Sequence, residues 1–261
     1  QAFRNHVMNI SDSPEITLVP NTIGITVHFG EHGMALLHKI GQVLTTDLTK
    51  DLKFKKNHEE DLKQTTFIDQ LKKRRSIYVL GKRVHLSQVY LAELIQEAVR
   101  SCPSAHNSQS TCIVILMGDA HHHFWNVVKE VQRKLVPAHI FAGAELKVDQ
   151  CSAGFGTVLF YEDQQIIQQL QKKIPFDAAE FPVWSEQVSG MAQYAVWTCL
   201  ADAGLGASLQ HYNPSIDADI SKVFEIPKHW LLRAQLVFGS IEEKAAEKEH
   251  YKDEERFMIY A

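Results

Sequence analysis

Arg74-Arg75-Ser76 is the first stretch of the chain whose residue types suit a definite chemistry. Two adjacent guanidinium forks ahead of a serine can grip a phosphate through bidentate, charge-assisted bonds. The same pair also reads as the basic end of a helix beginning near Phe67, where it would complement the helix dipole. The local pattern leaves both readings open. A second stretch, Pro103-Ser104-Ala105-His106-Asn107-Ser108-Gln109-Ser110, is made of small hydrogen-bonding residues. It describes either a plain turn or a loop that offers N–H groups, hydroxyls and amides to a polar ligand. A third, Gly204 through Pro214, runs a strand into a polar and aromatic stop, His211-Tyr212-Asn213-Pro214.

Other candidate chemistry falls away on spacing. His121-His122-His123 has the composition of a metal tract. Adjacent helical residues point in different directions and cannot converge on one ion, so these three are expected at the surface. His28, Glu31, His32 and His38 match no zinc spacing. Cys102, Cys112, Cys151 and Cys199 lack Cys-x-x-Cys spacing, which leaves free thiols in a reducing compartment. No metal site is expected. Ala153-Gly154-Phe155-Gly156-Thr157 imitates a dinucleotide fingerprint, but it leads into a strand instead of joining a strand to a helix. A Rossmann fold is therefore excluded.

The elements that must carry these stretches follow from periodicity. Phe67, Ile68, Leu71 and Arg74-Arg75 share a helical period, apolar on one face and basic at the end. Leu86–Arg100 is amphipathic through Leu91, Leu94, Ile95, Ala98 and Val99, and stops before Pro103. Strand Cys112–Met117, helix Phe124–Leu135, strand Val158–Tyr161 and helix Gln164–Lys173 come next. A Pro/Phe-rich loop over Ile174–Trp184 leads to Ser185, read as the N-cap of the cleanest helix, which closes at Gly204. A strand from Ala207, helix Ile216–Phe224, strand Arg233–Phe238 and a charged tail with Lys244, Lys248 and Lys252 complete the main domain, 61–261. Residues 1–60 read differently, with short strands at Glu15–Pro20 and Gly24–Phe29 and a helix from Gly33 to Lys53. They form an extension to which the pattern assigns no function.

With 45% hydrophobic and 22% charged residues in 261, the chain is globular. A net charge of −4 gives no electrostatic case for nucleic acid. No run approaches the roughly 18–20 apolar residues of a membrane span. Without a secretory leader pattern, a cytoplasmic protein with neither nucleic-acid nor membrane partners is expected.

In order along the chain, Arg74-Arg75-Ser76-Ile77-Tyr78, the loop 103–110, Gly154-Phe155-Gly156-Thr157-Val158-Leu159-Phe160 and Gly204 through Pro214 resemble the FMN-dependent nitroreductase superfamily. Phe181-Pro182-Val183-Trp184-Ser185-Glu186-Gln187 and Trp197 are most similar to its short subfamily of copper-induced bacterial and fungal fatty-acid-repression-type nitroreductases. The resemblance covers residues 66–261. It implies an α+β fold, a mostly antiparallel sheet flanked by helices, and a homodimer with FMN in clefts at the subunit interface. By the same resemblance Arg74, Arg75 and Ser76 hold the FMN phosphate and ribityl chain. Ser104, Asn107 and Gln109 line the flavin from either subunit. The backbone of Gln210, His211 and Tyr212 lies beside the isoalloxazine near N5, and Lys248, with Lys244 close behind, completes the phosphate site. His106 stands where the subfamily carries phenylalanine, and Tyr78 where other branches carry lysine.

The implied activity is a ping-pong reduction. NAD(P)H delivers hydride to the flavin and leaves, and a small-molecule acceptor (nitroaromatic, quinone or N-oxide) then takes it in the same slot. No catalytic side chain is required. His106, His211 and Tyr212 are candidates for proton donation, with solvent as the alternative. Two rival readings remain open: an FMN-binding sensor in stress or lipid signalling, and an interaction protein on a degenerate reductase fold with residues 1–60 as its docking arm.

Overall fold

The computed structural model describes residues 66–260, so the strands, helix and histidine group expected within residues 1–60 lie outside the described residues. Thr66 opens helix α1 (Phe67–Lys73) with a capping box: its hydroxyl accepts from the Asp69 N–H, and the Asp69 carboxylate accepts from the Thr66 N–H. The helix ends one residue before the arginine pair. Arg74 is extended (ψ 111°), and Lys72 and Lys73 occupy the basic last turn. The helical period expected to include Arg74-Arg75 therefore stops short of them.

Then come β1 (Leu80–Gly81), α2 (Gln88–Arg100), β2 (Thr111–Met117), α3 (Asp119–Leu135), α4 (Ala138–Ser152), β3 (Gly156–Asp163) and α5 (Gln164–Lys173). They are followed by α6 (Phe181–Asp202), β4 (Gly206–Gln210), α7 (Asp217–Val223) and β5 (Trp230–Ile241). The fold is α+β with an open antiparallel sheet. Strand β3 lies between β2 and β5, and the other edge of β5 takes β4 and, at its end, β1. No helix among the described residues is long and apolar enough to cross a membrane.

Side chains of β3 alternate between two cores, as a strand covered on both faces must. Leu159 and Tyr161 pack with Phe124, Trp125 and Val128 of α3 and Ile220 of α7. Val158 and Phe160 pack with Ile95 of α2 and with Val196 and Leu200 of α6. Strand β5 carries one extra residue, because Phe160 pairs with Ala234 and Tyr161 with Leu232, leaving Arg233 unmatched. This bulge reverses the alternation, so Leu232 faces the α3 core while Ala234, Leu236 and Phe238 face the α6 core. Arg233 turns out to Glu186 of α6, with Nε–H to carboxylate 2.9 Å. The broken alternation hid residues 230–232 from pattern reading, which had begun the strand at Arg233.

Helix α6 starts at Phe181, within what reads as a loop. Pro182 sits in its first turn, where a missing N–H costs nothing. Ser185 is therefore not an N-cap but a buried interior residue bonded to Glu162. Helix α4 escapes periodicity because its two buried residues, Val148 and Cys151, lie in its C-terminal half.

His121 is fully buried, contrary to the expected exposure of the histidine tract, while His123 is exposed. Its Nε2–H donates to the Ser152 carbonyl at 3.2 Å, and because a carbonyl only accepts, Nδ1 is the acceptor for the Thr157 hydroxyl at 2.9 Å. Trp125 Nε1–H donates to the same hydroxyl oxygen at 2.9 Å. Burial lowers the His121 pKa to about 4, because a charged imidazole has no solvation there. The folded state thus prefers neutral His121, and its contribution is complete above the unfolded value near 6.5 and lost as pH falls through 4. The amount is about 3 kcal/mol. His121→Gln keeps one donor and one acceptor but does not titrate. Urea unfolding between pH 6.5 and 4 should show wild type losing stability relative to this variant, and parallel profiles would exclude the assignment.

Candidate functional site

A parallel bridge ties Ser76 to Ala207, and Ile77 N–H donates to the Ala207 carbonyl at 3.0 Å. Arg74-Arg75-Ser76 is thereby drawn to the beginning of β4. The chain leaving β5 returns to the same place: Arg83 pairs with Glu242, and the Arg75 guanidinium donates to the Ala246 carbonyl at 2.6 Å. Between them lies a cavity of about 770 Å³ whose lining includes Arg74, Arg75, Ser76, Tyr78, Lys244 and Lys248. Glu243, Glu247 and Glu249 share its wall, so four cationic side chains face three carboxylates. Arg74 lies over the Trp197 ring at 4.6 Å and the Tyr194 ring at 5.6 Å. Arg74 Nε and Trp197 Nε1 are both buried without a hydrogen-bond acceptor among the described residues.

The loop after α2 is strained. His106 (φ 55°), Asn107 (φ 53°) and Gln109 (φ 50°) are left-handed without being glycine. Each costs about 1–3 kcal/mol and persists only where the surroundings hold it. Ser104 supplies part of that hold, its hydroxyl accepting from the Gln109 N–H at 3.0 Å and its carbonyl from the Asn107 N–H at 2.9 Å. Glu162 supplies the rest. Its fully buried carboxylate accepts from Ser110 at 2.6 Å, from Ser185 at 2.8 Å and from Thr111. Burial raises the Glu162 pKa, opposed by these three hydroxyl donors. The His106 ring packs against Phe181 at 5.6 Å and Trp184 at 6.0 Å. Ser104 and Gln109 line a hollow of about 280 Å³, His106 lines a separate one of about 260 Å³, and Asn107 is exposed.

Beyond β4, the backbone of the third stretch is held by Gln235, a buried residue of β5. Its side-chain oxygen accepts from the Tyr212 N–H at 2.8 Å, and its amide donates to Asn213 Oδ1 at 3.1 Å. Gln210 donates to Ser208 at 3.1 Å, and His211 is exposed. The Tyr212 ring meets Trp125 edge-on at 5.7 Å, and burial pushes its phenol up to about 12.

The register separates these groups. Ala207 pairs with Phe238, which pairs with Gly156, the partner of Met117. At the other end Glu162 pairs with Thr111, next to the 104–110 loop. One protomer thus holds Arg74, Arg75, Ser76 and Lys248 at one end of the sheet and Ser104, Asn107 and Gln109 at the other. Strand β2 between them spans about 20 Å. Glu162, Gln235 and His121 were not singled out as positioning residues in the sequence. The available signal was a polar residue interrupting an apolar strand, in Val158-Leu159-Phe160-Tyr161-Glu162 and Leu231-Leu232-Arg233-Ala234-Gln235.

This arrangement, helices covering both faces of an antiparallel sheet with a cationic cavity at one end and a strained polar loop at the other, has close counterparts among known proteins. Residues 71–240 match the Nitroreductase family, and the chain belongs to it. Nitroreductase CinD from Lactococcus lactis is 45% identical over 75% of this chain and all of its own, with a TM-score of 0.69, and has been solved with chloramphenicol, with nicotinic acid and with 4-nitrophenol. In Saccharomyces cerevisiae, nitroreductase FRM2 is 32% identical over 66% of this chain and 86% of its own. HBN1 of the same yeast is 32% identical over 72% of this chain and 95% of its own.

If Glu162 is the acceptor that holds the loop, removing it is worse than removing one donor. Glu162→Leu strands three hydroxyls and should cost about 3 kcal/mol, whereas Ser185→Ala leaves two donors on the carboxylate and should cost about 1 kcal/mol. Urea unfolding of both variants measures the order, and equal costs would contradict it.

Proposed function

We propose that this nitroreductase-family oxidoreductase is an FMN-dependent enzyme using NAD(P)H to reduce small electron-poor acceptors, and that it works as a homodimer. The observation that carries the reading is the cavity at Arg74, Arg75, Ser76 and Lys248, with its orphaned buried donor on Arg74. Buried N–H groups without acceptors are costly, and a dianionic phosphate, which only accepts, matches this donor set. Its volume of about 770 Å³ lies within the range of small-molecule sites.

When bound, FMN would supply the hydride-transfer chemistry, which the protein's side chains do not perform themselves. The chain's own residues bind and orient. Arg74, Arg75 and Lys248 would hold the phosphate, with Lys244 close by, and Ser76 would serve the ribityl chain. The backbone at Gln210, His211 and Tyr212, kept in place by Gln235, would serve the ring. Ser104, Asn107 and Gln109 lie at the far end of the sheet, so they serve the flavin held by a partner copy. Exposed apolar residues on α1 and α6 support such pairing, since Phe67, Met191 and Tyr194 line an apolar hollow of about 450 Å³. Tyr212 stays protonated at neutral pH, but its ring is engaged with Trp125, and His211 is open to solvent. Proton supply from water is the simpler route. The 4-nitrophenol and chloramphenicol bound by CinD support a nitroaromatic acceptor, and its nicotinic acid supports a nicotinamide reductant.

The visible spectrum of the purified protein, with FMN added, should show a flavin that bleaches under anaerobic NADH or NADPH. Protein that stays colourless would sink the reading. His211→Ala should keep FMN and lose less than the roughly 10²-fold in turnover that removing a general acid costs. Met191→Lys, which charges the exposed face of α6, should convert a sedimenting dimer to monomer and weaken FMN binding with it.

A further inference from the structure

We propose that Trp197 is a positioning residue for anion recognition: it holds the Arg74 guanidinium ready for a phosphate-bearing ligand and acts through Arg74 rather than through the fold. The inference rests on the flavin reading above. The guanidinium carbon lies 4.6 Å from the Trp197 ring centre and 5.6 Å from that of Tyr194. Residues three apart on α6 are neighbours on one face, and both rings lie against the same cation. Stacking occupies the flat face of a guanidinium and leaves its donor-bearing edge free.

That edge is uncommitted. Among the described residues no carboxylate pairs with Arg74, whereas Lys73 reaches Asp202 at 3.7 Å and Arg83 pairs with Glu242. Arg75 is engaged by the Ala246 carbonyl at 2.6 Å. Of the pair, Arg75 keeps further donors beside its bond to Ala246, while Arg74 is the guanidinium with no protein acceptor among the described residues. Its Nε and the Trp197 Nε1 are both buried and without acceptors. Both groups only donate, so they cannot satisfy each other, and of the two it is Arg74 that lines the cavity where a ligand could supply an acceptor. A residue chosen only to fill the core between α6 and its neighbours needs neither a π face under a cation nor a buried unpaired N–H.

FMN and riboflavin differ only in the phosphate, and titrating flavin-free protein with each separates positioning from folding. Trp197→Leu should weaken FMN binding by about 2- to 30-fold, the range of cation–π contributions, and leave riboflavin binding unchanged. Trp197→Phe, which keeps a π face, should restore most of the FMN affinity. Arg74→Ala and the double variant Arg74→Ala/Trp197→Leu should bind FMN equally, since no guanidinium remains to be positioned. Equal losses of FMN and riboflavin in Trp197→Leu, or additive losses in the double variant, would overturn the inference and leave the flavin site standing. Wild-type protein that binds neither flavin would overturn the flavin reading and this inference with it.

Discussion

Strand β3 has no solvent face, and the rest of the structure is arranged around that constraint. Every residue from Gly156 to Asp163 is buried. Covering both faces takes α2 and α6 on one side and α3, α4 and α7 on the other. The strand's polar side chains must look for partners inside the protein, and all but the Tyr161 hydroxyl have one among the described residues. Thr157 meets His121 and Trp125, Glu162 meets three hydroxyls, and Asp163 caps α5 through the N–H groups of Gln165 and Ile166. These bonds link the strand to α3, to the loop before β2, to α6 and to α5. Even the start of the strand is filled: a Cβ on Gly156 would lie 2.6 Å from the Phe238 ring and 2.9 Å from the Leu116 carbonyl.

The candidate site inherits its layout from this frame. The Arg74-Arg75-Ser76 stretch is fixed at one end of the sheet by the Ser76–Ala207 bridge and by the tail that follows β5. The strained loop is fixed at the other end by Glu162. Each end is incomplete in a characteristic way. One carries buried donors without acceptors among the described residues, and the other carries backbone strain that the interior must hold. A ligand that supplies acceptors binds only the folded protein and stabilises it by mass action.

Much of the fold was legible where period and chemistry agreed. The amphipathic pattern through Leu91, Ile95 and Ala98 marked α2, the break before Pro103 marked its end, and Gly204, with φ of +80°, marked the end of α6. The reading failed where a local rule was overridden. Pro182 reads as a loop residue but is tolerated in a first helical turn. The bulge at Arg233 broke an alternation that would have revealed the whole of β5. The histidine tract was placed at the surface because three adjacent helical residues cannot share an ion, yet His121 is buried, with Thr157 and the Ser152 carbonyl satisfying both ring nitrogens.

The sequence by itself determined the chemical inventory and its order: an arginine pair before a serine, a polar loop, a glycine-led strand, a polar stop and a lysine-bearing tail. Family membership rests on the match over residues 71–240, which takes in all of these but the tail. Only the tertiary structure decided which of them meet. Arg74 and Lys248 lie far apart along the chain and share a cavity, while Ser104 lines a different one. Register, the bulge and the burial of β3 set those placements, and each depends on pairing between segments remote in the chain, which no local pattern encodes.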